Sequence, residues 1–237
     1  MIFEKMRTNK HVYRPLIKKI ELESEVNRKL IKLFELNKKD INKINDNLIK
    51  IVADPKLIAS VYHKLKTNKR FMTKGTKKDI ANGMNIETIK IISKQIKSGI
   101  FKWTDICRKE IKKSRGGKTK RSSETPNFND KIVQELIRIV LNVLYEPVFQ
   151  AFEYNHGFRP KRSPQSAIRK LQIESQGMSN ALEGGVKRAF NSVDFDILMG
   201  LLKKKINDLK FLKLIKDGLN NNIRFEKKRE PNLRGVT

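Results

Sequence analysis

The side chains most able to do chemistry in this chain are cations, and three short stretches hold them. Arg159, Lys161 and Arg162 stand in the segment Asn155-His-Gly-Phe-Arg-Pro-Lys-Arg-Ser163. Lys113, Lys118, Lys120 and Arg121 surround Gly116-Gly117, and Lys187 and Arg188 follow Gly184-Gly185. Ammonium and guanidinium groups in this density suit phosphate, because each phosphate they neutralise releases condensed counterions. The first stretch also carries Phe158, whose ring could stack on a base. A second reading buries Phe158 as the anchor of the loop and pairs one of the arginines with Glu153. The basic hairpin divides in the same way, between contact with an RNA backbone and a solvated surface. Asp194 and Asp196 read as acids at a helix N-terminus, where the dipole favours them. His156 reads as a hydrogen-bonded loop residue, and Trp103 as a packing residue.

Composition points the same way. The net charge is +28 over 237 residues, and 38% of the residues are hydrophobic. A chain this basic repels itself unless a polyanion compensates, so RNA or DNA is the first expected partner. An AT-rich genome, which favours Lys, Asn and Ile codons, is the competing account, but it does not explain the Arg-rich segment at 156–162. A single cysteine, Cys107, excludes an internal disulfide and a cysteine-based metal site. No apolar run approaches the ~20 residues of a membrane span. The N-terminus lacks the apolar core of a secretory signal, so an organelle-encoded or cytoplasmic protein is expected, and the AT-rich flavour favours an organelle.

These groups must be positioned by elements that the spacing of apolar residues predicts. Leu22, Val26, Leu30, Leu33 and Phe34 give a helix over 21–36, followed by a solvated run at 37–47. Asp54-Pro55 is an N-cap with proline in the first turn, ahead of the apolar face Leu57, Ile58, Val61, Tyr62 and Leu65. Met84 to Gly99 is a helix with Ile86, Ile89, Ile92 and Ile96 inward and Gly99 as its stop. An extended segment starts at Gly99, and 106–121 forms a basic β-hairpin turning at Gly116-Gly117, or else a disordered charged loop. The longest apolar helix spans 130–150, capped by Asn129 or Asp130 and closed by Pro147. Ser163-Pro164 opens a helix with Ala167, Ile168 and Leu171. Residues 178–186 are extended, and helices follow at 194–206 and 209–219. A soft boundary falls near residue 50.

In this order, the motifs resemble the N-terminal half of group II intron-encoded reverse transcriptase/maturases, particularly the mitochondrial type. The likeness covers about Leu48 to Thr237. It rests on Asn155 to Ser163 with Ala167, on Asn129-Asp-Lys-Ile-Val-Gln-Glu135 leading to Leu144-Tyr-Glu-Pro-Val-Phe149, and on Leu182-Glu-Gly-Gly-Val-Lys-Arg-Ala-Phe-Asn191 with Asp196-Ile-Leu198. The resemblance implies an α+β, predominantly α-helical fold: the fingers and a truncated palm of a right-handed reverse transcriptase. It divides the chain into a basic helical N-terminal extension (1–50), a fingers-like RNA-binding region (51–181) and a partial palm (182–237).

It also implies a departure from the family's chemistry. Nucleotidyl transfer needs carboxylates to hold two Mg²⁺ ions on the reacting oxygens. Gly185 stands where the family carries its palm aspartate, and Asn191 stands at the later acidic position. Lys113 and Arg121 match the pair that binds the nucleotide triphosphate, while Lys112 and Ser122-Ser-Glu-Thr-Pro126 depart from the family's hairpin. Lys187 and Arg188 beside the altered position would disfavour a cation. The Tyr-Ala-Asp-Asp box, thumb and maturase domain are not among these 237 residues.

The expectation is therefore a mitochondrial RNA-binding protein with no catalytic residue, no cofactor and no metal site of its own. Its RNA contacts would be Lys113, Lys118, Lys120, Arg121, Arg159, Lys161, Arg162, Lys187 and Arg188. The partner would be structured RNA, either intron RNA or ribosomal RNA in an organellar ribonucleoprotein. The alternative is one piece of a split RNA-directed DNA polymerase/maturase, completed by a second polypeptide and then using Mg²⁺. A decaying gene product is a third.

Overall fold

A computed structural model describes residues 25–67, 84–112, 120–186, 189–221, 223–225 and 228–230; at 25, 107–112, 120–124, 190, 191, 223–225 and 228–230 only the backbone is described. The described chain is predominantly helical, with four short strands. It forms two compact units, each discontinuous in sequence. One takes in the described part of Met1–Ile41 with Leu141–Val186. The other takes in Asn42–Val140 with the described part of Lys187–Thr237.

The second unit is built on helix ends that the sequence caps. Helix α2 (Leu48–Val52) leads into α3 (Pro55–Lys66), where the Asp54 side chain accepts from Lys56 N and Pro55 fills the first turn. All five expected apolar residues of α3 are buried. Helix α4 (Ile86–Ser98) starts at Asn85, which accepts from Thr88 N. It stops at Gly99, whose φ of +75° is open to glycine at little cost. Ile92 and Ile96 are buried, but Ile86 is exposed, so the inner face is narrower than the isoleucine spacing predicts.

Strands β1 (Ile106–Lys112) and β2 (Lys120–Thr125) pair antiparallel, Cys107 opposite Thr125 and Lys112 opposite Lys120. The expected hairpin is thus formed; its glycine turn lies outside the described residues. The segment 100–105 ahead of it forms no strand. Two further strands were not foreseen: β3 (Ile223–Phe225) and β4 (Lys228–Glu230). They complete the order β2-β1-β3-β4, with β3 parallel to β1. A three-residue strand carries too little periodicity to be read locally, and its pairing with β1 spans more than a hundred residues of chain.

Helix α5 (Phe128–Phe149) is the longest. Two expectations about its ends are corrected. Its first turn begins before Asn129, and Asp130 lies inside the helix. There the Asp130 carboxylate accepts from Thr104 N and from the Thr104 hydroxyl, which in turn accepts from Asn127 Nδ2. Nor does Pro147 close the helix; it sits within the last turn. Proline forfeits its own N–H bond and crowds the carbonyl four residues back, yet Gln150 N still reaches Glu146 O at 2.8 Å.

The remaining helices of this unit are α7 (Phe195–Lys203) and α8 (Leu209–Leu219), as expected, each capped by an aspartate. Asp194 accepts from Asp196 N and Ile197 N, which gives it the role of a helix cap. Asp208 does more. It is buried, and one oxygen accepts from Phe211 N at 3.0 Å while the other accepts from Ile49 N at 2.8 Å. Helix α2 needs that second bond, because its own N-cap, Asn47, lies in the left-handed region (φ +56°) and makes no side-chain cap.

Nearby, Asn45 N donates to Lys205 O and Asn207 N donates to Asn45 O, a short bridge between distant segments. Asn45 is therefore buried, as is Asn37 in the other unit. The expected solvated run at 37–47 is corrected at both positions: a buried amide is tolerated because its polar atoms are hydrogen-bonded. Trp103 packs as expected, edge-on to Phe101 with centroids 5.3 Å apart, and donates from Nε1 to Leu214 O.

The first unit contains α1 (Glu25–Lys39), the end of α5 and α6 (Pro164–Glu174). Val26, Leu30 and Phe34 line the buried side of α1. In α6 the Ser163 and Ser166 side chains form a reciprocal cap. No residue of α6 is buried, and Ile168 and Leu171 are exposed. Residues 178–186 form no strand, and Leu182 and Val186 are exposed. The segment expected to be extended therefore pairs with no other described segment, and its exposed backbone is left to solvent.

Asp208→Ala should remove caps from two helices and lower the unfolding free energy by about 2–4 kcal/mol, measured by urea denaturation, with Asp208→Asn intermediate. At Gly218 an added Cβ would lie 2.8 Å from the Trp103 ring. Gly218→Ala should therefore cost about 1–3 kcal/mol through overpacking and shift the Trp103 emission in the same titration.

Candidate nucleic-acid interface

The Arg-rich loop runs from the end of α5 to the start of α6, and side-chain bonds fix most of its course. The Asn155 side chain accepts from Gly157 N. Arg159 turns inward. Its guanidinium is 5% exposed and faces the Glu146 carboxylate, which is 7% exposed, with Nη2 to Oε1 at 2.8 Å and Nε to Oε1 at 3.2 Å. The third nitrogen, Nη1, donates to Phe152 O at 3.2 Å and Asn155 O at 3.1 Å. Every face of the guanidinium is thereby engaged with protein. Arg159, expected from the sequence at an RNA contact, is thus turned inward onto a carboxylate and two carbonyls rather than presented to solvent.

Phe158 shows the opposite outcome. It was weighed as a core anchor and is instead 95% exposed. Its φ is +54°, and Lys161 has a φ of +59°. A bulky side chain rarely adopts the left-handed region, and the surrounding bonds must hold it there. The anchor is the arginine, and the ring is displayed.

Lys161 is exposed and Arg162 half-buried. Arg162 Nη1 donates to the backbone carbonyl of Glu153 and approaches His156 Nε2 at 3.3 Å. The carboxylate partner of the loop's arginines is therefore Glu146, and Glu153 supplies its carbonyl. Lys170 lies 3.4 Å from the Glu153 carboxylate and 4.2 Å over the Tyr154 ring, a cation–π contact on an exposed aromatic.

The tautomer of His156 follows from its neighbours. The Ser166 hydroxyl gives its proton to Ser163 O, so at 2.8 Å it can only accept from His156 Nδ1. The lone pair on Nε2 then faces Arg162. Desolvation, then the positive charges of Arg162, Lys170 and Arg159, hold the imidazole pKa below its ordinary 6.5. His156 is the hydrogen-bonded loop residue the sequence suggests.

The other expected contacts are not brought into this loop. Lys113, Lys118, Lys187 and Arg188 lie outside the described residues. Lys120 and Arg121 sit on β2, opposite Lys112 and Ile111, described by backbone only. At Gly185 an added Cβ meets no atom within 4 Å, so packing does not exclude a larger side chain there. Asn191 falls in a short 3-10 turn, Ala189–Ser192. Among the described residues no three of His, Cys, Asp and Glu gather where they could hold a metal ion, and no helix is long and apolar enough to cross a membrane.

Comparison with known proteins adds what geometry does not. An uncharacterised 91 kDa protein in the cob intron of Schizosaccharomyces pombe is 39% identical over 196 residues, covering 81% of this chain and 24% of that protein. The group II intron-encoded protein LtrA of Lactococcus lactis is 34% identical over 186 residues, covering 78% of this chain and 31% of that protein. Nuclear intron maturase 1, mitochondrial, of Arabidopsis thaliana is 30% identical over 135 residues, covering 51% of this chain and 19% of that protein. No family model matches the chain. The chain spans less than a third of the length of either of the first two relatives.

Removing one partner of the buried pair strands the other. Glu146→Ala or Arg159→Ala should therefore cost about 3–5 kcal/mol, and the double substitution less than the sum, in a urea double-mutant cycle. Because the folded pKa of His156 is depressed, its contribution to stability is complete above the unfolded value of 6.5 and is lost as pH falls through the lower folded value. The imidazole resonance of His156 in an NMR titration should have its midpoint below 6.5 and move upward in Arg162→Ala.

Proposed function

The chain belongs among the homologues of group II intron-encoded proteins and intron maturases, and we propose that its part in such work is to hold structured RNA without catalysing nucleotide transfer. The observation that carries this reading is the charge: +28 in 237 residues, in a chain whose relatives are named for the introns they come from or mature. Excess cation on this scale favours a polyanion through counterion release. A structured intron RNA is the polyanion that the relatives' names suggest; ribosomal RNA of an organelle has the same chemistry. A mitochondrial setting is in keeping with the Arabidopsis relative, while the bacterial relative is more similar in sequence, 34% against 30% identical.

The lack of catalysis rests on the positions that resemble the palm motif. Glycine offers no ligand, and the neutral amide of Asn191 is a poor substitute for a carboxylate on a hard divalent cation. Since a side chain at Gly185 would meet open space, the missing acid is a chemical difference and not a forced accommodation.

A second reading, a split polymerase completed by another polypeptide, is favoured by one observation: Ile168, Leu171, Leu182 and Val186 leave apolar surface uncovered in the first unit. Co-purification of a chain carrying the Tyr-Ala-Asp-Asp box, with primer extension by the pair, would establish it.

Binding to a folded intron RNA, followed by anisotropy from about 50 to 300 mM salt, should fall with a log–log slope of several units; a flat dependence would defeat the RNA reading. Primer extension with Mg²⁺ should give no template-dependent product from this chain alone.

A further inference from the structure

We propose that Phe158 is a base-stacking residue: the loop takes one unpaired nucleotide of RNA, its base against the exposed ring and its phosphate toward Lys161. This rests on the RNA-binding reading and adds to it a single-stranded ligand and a named contact.

Three independent features of the loop meet at this residue. The first is exposure. A phenylalanine standing in water forgoes the burial that folding offers an apolar ring, yet Phe158 is 95% exposed while the arginine next to it is buried. The second is backbone. Phe158 and Lys161 both hold left-handed φ values, +54° and +59°, on either side of Arg159-Pro160. The third is rigidity. Arg159 is tied to Glu146, Phe152 and Asn155, so the ring is presented by a fixed frame and little ordering remains to be done on binding.

The chemistry of the occupant follows. A flat apolar face suits any base, and an exposed ammonium two peptide units beyond Arg159 suits the phosphate that accompanies it. Bases in a duplex present no face to a side chain, so an unpaired nucleotide is required. The strong positive charge of the chain selects nucleic acid over an apolar protein segment as the molecule that covers the ring.

The test uses the full 237-residue chain and a fluorescently labelled single-stranded RNA, a duplex of the same sequence, and an oligonucleotide with abasic sites. Phe158→Ala should weaken binding to the single strand about tenfold or more, leaving the salt slope unchanged. Phe158→Trp should retain the affinity. On the abasic oligonucleotide, wild type and Phe158→Ala should bind alike. Lys161→Ala should instead reduce the salt slope. Because φ is positive here, Phe158→Gly, which fits that backbone freely, controls for any strain left by alanine and should also lose binding.

Equal affinity of wild type and Phe158→Ala for the single strand would overturn the proposal while leaving RNA binding intact. So would an equal loss on the abasic strand. Loss of self-association in sedimentation with RNA affinity unchanged would overturn it in favour of a protein contact. Failure of the wild type to bind any RNA would instead remove the reading it rests on.

Discussion

The contact between the Arg159 guanidinium and the Glu146 carboxylate decides what the first unit can offer a ligand. Burying two charges is expensive unless each is fully matched. Here the match is close: two guanidinium nitrogens go to the carboxylate and the third to two carbonyls of the loop. The carbonyls belong to the segment that the arginine must fold over, so the same side chain neutralises Glu146 and shapes residues 152–159. Once that is done, the residue preceding the arginine has only the outside left to it. The display of Phe158 is thus a consequence of an ion pair, and sequence position alone could not distinguish which of the two neighbours would be buried.

The second unit depends on a similar economy with buried acids. Asp208 caps α8 and also the N-terminus of α2, more than 150 residues away in sequence. Asp130 closes the Thr104 backbone and hydroxyl onto α5. Asn221 reaches the Thr104 carbonyl from beyond α8. At the surface, Glu135 makes the same point. Burial alone would raise its pKa, but hydrogen bonds and charge from Arg138 and Lys64 bring it below the ordinary value. In a chain with 25 acids against 53 lysines and arginines, these acids hold helix ends and loops in place.

What the sequence made legible is local. Asp54-Pro55, Gly99, Ser163-Pro164 and Asp194 each act within one turn of their own position, and the structure shows every one in the role its type predicts. Helix α8 matches residue for residue because its apolar spacing runs without interruption from Leu209 to Leu219. What was illegible depends on distant partners. Asn45 reads as solvent-loving until Lys205 and Asn207 are beside it. β3 exists only against β1. Apolar spacing can say that Ile168 and Leu171 share a face of α6, but not whether another element covers them, and among the described residues they remain exposed.

Gly185 and Asn191 stand where the resemblance to the family would place acids. Loss of a catalytic carboxylate can follow from steric change or from relaxed chemical demand. Among the described residues no atom lies within 4 Å of a Cβ added at Gly185, and neighbouring Val186 is exposed. A polymerase palm needs concentrated negative charge to seat its metals against the repulsion of a basic nucleic-acid surface. A protein that only grips RNA gains from the reverse arrangement, since every carboxylate removed from such a surface raises its attraction for phosphate. On the RNA-holding reading proposed above, Gly184-Gly185 followed by Lys187-Arg188 has the composition that attraction for phosphate favours.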